Sequence, residues 1–120
     1  RNMGGTMRLG AYPCELKQGT TAEASYRTSL IEERHRHRYE FNNAYLADFE
    51  EAGMVASGLN PDTGLVEVVE IPGHPYVVAS QFHPEYSSTV LTPHPLFVSF
   101  VKATRAHSTS AVNRNVEAEV

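Results

Sequence analysis

One mostly apolar run, YVVASQF at residues 76–82, restricts the folds open to this chain more than any other segment. Its apolar side chains occupy both strand faces, a pattern typical of a strand buried in a parallel sheet. Such a strand needs neighbours in the sheet and helices on each face. We therefore predict an α/β fold with a mixed sheet flanked by helices.

Other segments carry weaker strand signals. Met7, Leu9 and Ala11 alternate with Arg8 and Gly10, so we expect the three apolar side chains on the buried face of a strand. Two more strands, a short one at 54–57 and a clearer one at 65–71, are expected on either side of the turn-forming sequence NPDTG.

Two helices are predicted from the residues at their ends. Asn42-Asn43 offers an N-cap for the first, and Gly53 stands where a glycine would follow its last turn. The second opens at His94-Pro95, because proline suits the first helical position. The expected apolar stripe of the first helix is Tyr45 or Leu46, Phe49, and Ala52 or Met54. The expected buried face of the second helix is Leu96, Phe97, Phe100, Val101 and Thr104.

The end of the chain is poor in large apolar residues beyond Arg105. Ser, Thr, Asn and Glu dominate there, and such a composition cannot bury enough apolar surface to fold. We expect residues 1–106 to form the folded portion and residues 107–120 a disordered tail.

The segment IEERHRHRYEF at 31–41 has the most unusual composition. In strand register the arginines share one face: Arg34, Arg36 and Arg38. The imidazole and aromatic side chains share the other face: His35, His37, Tyr39 and Phe41. The arginine face fits either a solvated strand surface or a phosphate patch, and we expect the histidines to pack inward rather than to bind metal.

Charge and cysteine content exclude several classes of protein. The 120 residues carry a net charge of −4, which argues against a general nucleic-acid binder. No apolar run approaches the roughly 20 residues of a membrane span, and no secretory signal pattern opens the chain. Cys14 is the single cysteine, so no internal disulfide can form. With no export signal either, we expect a cytoplasmic protein.

His83-Pro84-Glu85, directly after the apolar run, is the strongest chemical signal. In extended backbone the side chains of His83 and Glu85 point the same way, and Pro84 stiffens the bracket. The carboxylate can then take one ring N–H and leave the other nitrogen free as a base for a thiol or hydroxyl. This pattern alone is also compatible with an ordinary surface loop. A metal site would need more ligands, and His74 and His94 do not show the spacing of metal ligands.

Several motifs together resemble one group of enzymes. A strand followed by HPE is similar to the histidine–glutamate end of the triad in class I glutamine amidotransferases. GGTMRLG at 4–10, ERHRHRYEFNN at 33–43, and QFHPEY at 81–86 followed by HPLF at 94–97 resemble the CTP synthase family in order and spacing. The resemblance covers about residues 4–105. It implies the C-terminal half of a flavodoxin-like amidotransferase domain.

The resemblance also assigns roles to residues. His83 corresponds to the catalytic base, Glu85 to the acid that orients it, and Arg38 to the residue that binds glutamine. An arginine suits that last role because its planar fork grips a carboxylate through paired hydrogen bonds. For Arg34 and Arg36 we expect a structural or domain-interface role.

Cys14 is not expected to be the nucleophile. A triad cysteine in this family stands on a tight elbow flanked by glycines, and Cys14 has Pro13 before it and Glu15 after it. We expect a buried, inert thiol. The nucleophile and the oxyanion-hole glycine would then lie upstream of Arg1, and this segment alone is expected to be inactive.

The activity that the resemblance implies is hydrolysis of glutamine through a cysteinyl thioester. The ammonia would pass to a synthetase domain for ATP-dependent amination of UTP to CTP, with Mg²⁺ required, GTP as activator and a homotetrameric assembly. No cofactor, metal, nucleic acid or membrane partner is expected for this segment. The alternatives are another class I amidotransferase, a glutamyl-hydrolase relative, or a non-catalytic regulatory module. The ERHRHRYE run disfavours the first two, and the intact His83-Pro84-Glu85 disfavours the third.

Overall fold

The computed structural model describes residues 8–118, with side chains described as far as Ser110. The strands are β1 (Arg8–Leu16), β2 (Leu30–His37), β3 (Val55–Leu59), β4 (Val66–Glu70) and β5 (Val78–Ser80). The helices are α1 (Thr21–Tyr26), α2 (Leu46–Glu51) and α3 (Pro95–Ala118). Short 3₁₀ turns cover Asn43–Tyr45 and Pro84–Ser87.

The strands form a single five-stranded sheet in the order β2-β1-β3-β4-β5. Every neighbouring pair among the described strands is antiparallel, so the α/β class with flanking helices is confirmed but the mixed sheet is not. Short connections explain the difference for β3–β4 and β4–β5, because a parallel pair needs a crossover of a dozen or more residues. Between β3 and β4, for example, Asn60 Oδ1 accepts the backbone N–H groups of Asp62 and Thr63 and closes a tight turn.

The apolar run at 76–82 is therefore not a buried parallel strand. Only Val78–Ser80 is in strand conformation, and it pairs with β4 alone among the described strands. Val77 is exposed, whereas Phe82 is buried in the core. The run supplies a short edge strand and then leaves the sheet toward the His83 loop.

Strand β1 has the opposite register to the one predicted. Arg8 is buried and Leu9 is 60% exposed, while Met7 lies outside the described residues. The reason is a pair of acidic partners for Arg8 on the inner face. Its Nη1 lies 2.8 Å from Glu67 Oε1 and 3.0 Å from Glu40 Oε1. The ion pairs of Arg8, rather than the alternation of apolar side chains, thus determine which face of β1 is buried.

Strand β2 alternates as predicted. Its buried side chains are Ile31, Glu33 and His35, and its exposed arginines are Arg34 and Arg36. The strand ends at His37, however, so Arg38 and Tyr39 lie beyond it. The inward position expected for Tyr39 is wrong, since its side chain is 74% exposed.

The ends of α2 confirm the predicted capping residues. Asn42 Oδ1 accepts the backbone N–H of Ala44, although the first turn that it caps is 3₁₀ rather than α-helical. Gly53 follows the helix with a φ of 103°, a backbone region that favours glycine. The predicted stripe is only partly covered, because Tyr45 and Phe49 remain exposed.

Helix α3 begins at Pro95 as predicted but differs in length and in packing. It continues to Ala118, so the disordered tail expected from His107 is helical that far; residues 119–120 lie outside the described part. Neither glycine nor proline occurs between Leu96 and Ala118 to stop the helix. No helix within residues 8–118 has both the length and the apolar character needed to cross a bilayer.

The predicted buried face of α3 is largely uncovered. Leu96 is buried, but Phe97, Phe100 and Val101 are more than two-fifths exposed and Thr104 is exposed too. Tyr76 packs edge-to-face against Phe100, with ring centroids 5.7 Å apart. This face of α3 therefore lines an apolar groove and is not covered by a further layer of the described structure.

A compact core lies between the inner face of the sheet and the helices α1 and α3. Its buried side chains are Cys14, Leu16, Ala22, Ile31, Val68, Phe82 and Leu96. Gly58 on β3 completes this packing, because a Cβ atom there would lie 2.8 Å from both Cys14 Sγ and Val68 Cγ2. The chain needs glycine at this point to let two strands and a thiol approach each other.

We expect Gly58→Ala to lower the free energy of unfolding by about 1–3 kcal/mol, the usual cost of overpacking a core. Thermal and denaturant melts would measure the change. Glu15→Ala, an exposed change next to Cys14, is the matched control and should alter stability by no more than about 0.5 kcal/mol. A Gly58→Ala protein as stable as the unsubstituted protein would contradict this close packing.

Candidate functional site

The predicted imidazole–carboxylate pair is present. His83 Nδ1 lies 2.7 Å from Glu85 Oε1. The backbone that joins them differs from the prediction, because β5 ends at Ser80 and Glu85 belongs to the 3₁₀ turn Pro84–Ser87. His83 itself precedes that turn with φ −110° and ψ 89°. A tight turn, rather than extended backbone, brings the two side chains together.

The pair has a defined proton arrangement. The hydrogen bond from His83 lowers the pKa of Glu85, so this exposed carboxyl is ionised at neutral pH and can only accept. Nδ1 of His83 must therefore carry the donated proton, and a ring with its single proton there has its lone pair on Nε2. Tyr86 stacks on the imidazole, with centroids 5.1 Å apart and planes 21° apart. This is the arrangement that a general base requires.

His83 is fixed to strand β2 through the main chain. The backbone N–H of His83 donates to the carbonyl oxygen of Arg34 at 2.9 Å. The preceding residue, Phe82, is buried and packs edge-to-face against His35 at 5.8 Å. The histidine side of β2 thus supports the loop at His83.

Arg38 lies one residue beyond the end of β2 and is exposed. The segment around Arg38 is anchored at two points. His37 Nδ1 lies 3.0 Å from the carbonyl oxygen of Tyr39, and both carboxylate oxygens of Glu40 lie 3.0 Å from Arg8 Nη1. The strand that fixes His83 at Arg34 therefore also presents Arg38 at its end.

Cys14 is buried in the middle of β1, as an inert thiol would be. Burial raises its pKa to about 12, and the charges of Glu67 and Glu33 add to this effect. The thiolate that a nucleophile requires is therefore not populated at neutral pH.

A buried polar cluster of Tyr26, Glu33 and His94 was not predicted from the sequence. Glu33 accepts hydrogen bonds from the Tyr26 hydroxyl and from His94 Nε2. The backbone N–H of Leu96 donates to His94 Nδ1 at 3.1 Å, which places the ring proton on Nε2. One feature of the sequence could have indicated this cluster. The alternation of β2 places the Glu33 carboxylate on the buried face, where a charge needs partners.

A second buried group, His35, His37 and Glu67, has ligand atoms within 4.8 Å of one another. That spacing could admit a small cation, but Arg8 already donates to Glu67 at 2.8 Å. Burial lowers the pKa of His35 to about 3, with the positive charge of Arg8 adding to the effect. His35 is therefore neutral, and the Arg8 guanidinium is a positive charge that the structure sets beside the Glu67 carboxyl.

Glu33 makes stability depend on pH. Burial opposes its ionisation, but the hydrogen bonds from His94, Tyr26 and Ser87 outweigh burial and lower its pKa below the ordinary 4.5. A carboxyl with a lowered folded-state pKa stabilises the fold above its unfolded pKa, and this contribution is lost as pH falls through the folded pKa.

We therefore expect the native protein to be more stable than Glu33→Gln near neutral pH, with the difference shrinking as the pH falls below 4.5. Equilibrium unfolding of both proteins across this pH range measures the difference, and subtraction removes the titration of shared groups. A difference that stays constant down to about pH 3 would contradict ionisation of Glu33 in the fold.

Comparison with known proteins places this geometry in a family. A family model described as glutamine amidotransferase class-I matches residues 1–103. Over 100 residues the chain is 65% identical to CTP synthase from Cytophaga hutchinsonii, covering 83% of this chain and 19% of that protein. Over 119 residues it is 50% identical to CTP synthase from Gloeothece citriformis, covering 99% of this chain and 21% of that protein. The chain thus spans about a fifth of the length of these relatives.

A solved structure shows the same fold. The glutaminase domain of Trypanosoma brucei CTPS, with bound acivicin, superposes with a TM-score of 0.80 at 37% identity. The match covers 88% of this chain and 42% of that one. With the family model and the close relatives, it leads to one conclusion: the chain belongs to the class I glutamine amidotransferase family.

Proposed function

We propose that this chain is the C-terminal part of the glutaminase domain of a CTP synthase, located in the cytoplasm. The parent hydrolyses glutamine to glutamate and ammonia and uses the ammonia in ATP-dependent amination of UTP to CTP. The observation that carries the catalytic part is the His83–Glu85 pair, 2.7 Å apart with Nε2 left free. Relatives named CTP synthase, 50% and 65% identical, support the choice within the family.

His83 is the proposed acid–base group. Its Nε2 takes the proton of a cysteine thiol supplied by another part of the parent protein, and the thiolate attacks the side-chain amide carbon of glutamine. Nε2–H then gives its proton to the departing ammonia as the C–N bond breaks and the thioester remains. In the second half, Nε2 takes a proton from the water that attacks the thioester. As the C–S bond breaks and glutamate leaves, Nε2–H returns its proton to the cysteine sulfur. Glu85 holds the ring and stabilises the imidazolium in both halves.

Arg38 is the proposed binding group for glutamine. Its guanidinium would pair with the α-carboxylate, which is far from the reacting amide and identical in substrate and product. Support comes from its exposed position at the end of β2, the strand whose Arg34 carbonyl fixes His83. A contact of this kind contributes to binding of the ground state and the transition state alike.

The proposed amidotransferase portion ends at residue 106, close to the end of the family match at residue 103. The apolar groove beside α3, with a volume of about 540 Å³ and lined by Tyr76, Val77, Phe97 and Phe100 among others, is the proposed seat of the upstream half of the domain. ATP, UTP, Mg²⁺ and the activator GTP belong to the rest of the parent, as does most of the tetramer interface. Since Cys14 is buried with a raised pKa, the segment alone is proposed to have no glutaminase activity.

His83→Ala in the full-length parent should lower glutamine-dependent CTP formation by about 100-fold or more, the usual contribution of an acid–base group. Formation of CTP from added ammonia should change little, because that route does not use His83. His74→Ala, a change at an exposed histidine, is the matched control. Loss of both activities in His83→Ala would mean that His83 is structural.

Arg38→Ala should raise KM for glutamine by about 10- to 100-fold, since a hydrogen bond to a charged group contributes about 1.5–3 kcal/mol. The value of kcat should fall much less, because the contact is the same in ground and transition states. Steady-state kinetics with glutamine as the varied substrate measure both constants. Arg36→Ala, on the exposed face of β2, serves as the control; an unchanged KM in Arg38→Ala would remove the assignment.

A further inference from the structure

We propose that Glu33 and His94 together hold the loop that carries His83 and Glu85, and that they act as positioning residues for the base. We call these two residues the Glu33–His94 clamp. The inference rests on the proposed role of His83 in glutamine hydrolysis. It assigns to the clamp a contribution to the rate of the chemical steps rather than to binding of glutamine.

The clamp touches the C-terminal side of the catalytic loop at two adjacent serines. Ser87 Oγ donates to Glu33 Oε1 at 3.3 Å. Ser88 Oγ accepts the backbone N–H of His94 at 3.0 Å. His94 Nε2–H in turn donates to Glu33, so both serines connect to one hydrogen-bonded unit.

That unit is a firm support. The side chains of Glu33 and His94 are only 3% and 2% exposed. Glu33 extends from the sheet strand β2, and His94 immediately precedes α3, where its Nδ1 accepts the N–H of Leu96. The Tyr26 hydroxyl donates to the same carboxylate from α1. The loop is thereby tied to a strand and two helices through one buried carboxylate.

The catalytic pair needs such a support because it is itself open to solvent. The side chains of His83 and Glu85 are 37% and 54% exposed, so their own packing fixes them weakly. The His83 N–H bond to Arg34 anchors the loop at its start. Inside the turn, the Ser88 N–H donates to the Glu85 carbonyl at 3.3 Å, so an anchor at Ser88 also restrains Glu85.

A purely structural role predicts different kinetics from a positioning role. If the clamp only stabilises the fold, weakening it lowers all activities together or only the melting temperature. If it positions His83 against the thiol, weakening it lowers kcat for glutamine hydrolysis while KM and the ammonia-dependent reaction hardly change. Misplacement of a catalytic group by about 1 Å can cost a factor of about 100.

Glu33→Ala is the direct test, but it leaves buried polar groups without their acceptor and can prevent folding. Ser87→Ala is the sharper variant, because it removes one loop contact from an exposed residue and leaves the buried carboxylate with His94 and Tyr26. Ser87→Thr retains the hydroxyl and is the conservative rescue. Ser108→Ala, an exposed serine on α3, is the matched control.

In the full-length parent, Ser87→Ala should lower kcat for glutamate release by about threefold to tenfold, with KM for glutamine within about twofold. Ser87→Thr should restore most of the rate, and ammonia-dependent CTP formation should be unchanged in both. An unchanged kcat in Ser87→Ala, or equal losses in the Ala and Thr variants, would overturn the clamp. His83→Ala, measured in the same assay, distinguishes failure of the clamp from failure of the proposed function. If His83→Ala retains glutamine hydrolysis, the proposed function is wrong, whatever the result for Ser87→Ala.

Discussion

Burial of polar and charged groups on the inner face of the β1–β2 pair is the constraint on which the rest of this structure depends. Glu33 and His35 from β2 and Arg8 from β1 are all buried. A buried charge is unfavourable unless it is paired and hydrogen-bonded. Arg8 therefore draws in Glu40 and Glu67, and Glu33 draws in His94 and Tyr26. These pairs fix the register of β1 and the start of α3.

The same constraint explains how the exposed pair that we propose to be catalytic can have a defined geometry. Glu85 lies on a 3₁₀ turn at the surface and His83 directly precedes it, where side-chain packing alone would permit many arrangements. Hydrogen bonds connect this turn to β2 at Arg34 and to the buried Glu33 carboxylate through Ser87. Solvent access to the His83–Glu85 pair and its rigidity are thus supplied by different parts of the molecule. This division is common where catalytic groups lie on loops above a rigid scaffold.

Local patterns predicted the features that local physics controls. The alternation in β2, the cap at Asn42 and the glycine at Gly53 follow from strand periodicity and helix-end chemistry, and the structure confirms all three. Proximity of His83 and Glu85 was also predicted, although through the wrong backbone conformation. Because His83 and Glu85 are two residues apart in the sequence, their side chains can meet in a turn as well as in a strand.

Most of the features that the sequence did not predict depend on contacts between distant parts of the chain. Burial of Arg8 depends on Glu67, 59 positions away, and the partner of Glu33 at His94 is 61 positions away. Neither pairing leaves a periodic signal in the sequence. The prediction of a buried face on α3 was wrong for another reason. The pattern at Leu96, Phe97 and Phe100 indicates burial, but the described residues cover only Leu96.

The central claim is that His83 activates a cysteine other than Cys14. Labelling of the full-length parent with an electrophilic glutamine analogue, followed by peptide mass spectrometry, tests it most directly. The account predicts modification of a single cysteine outside these 120 residues, an unmodified Cys14, and a labelling rate that falls sharply in His83→Ala. Modification of Cys14, or a labelling rate that does not change in His83→Ala, would contradict it.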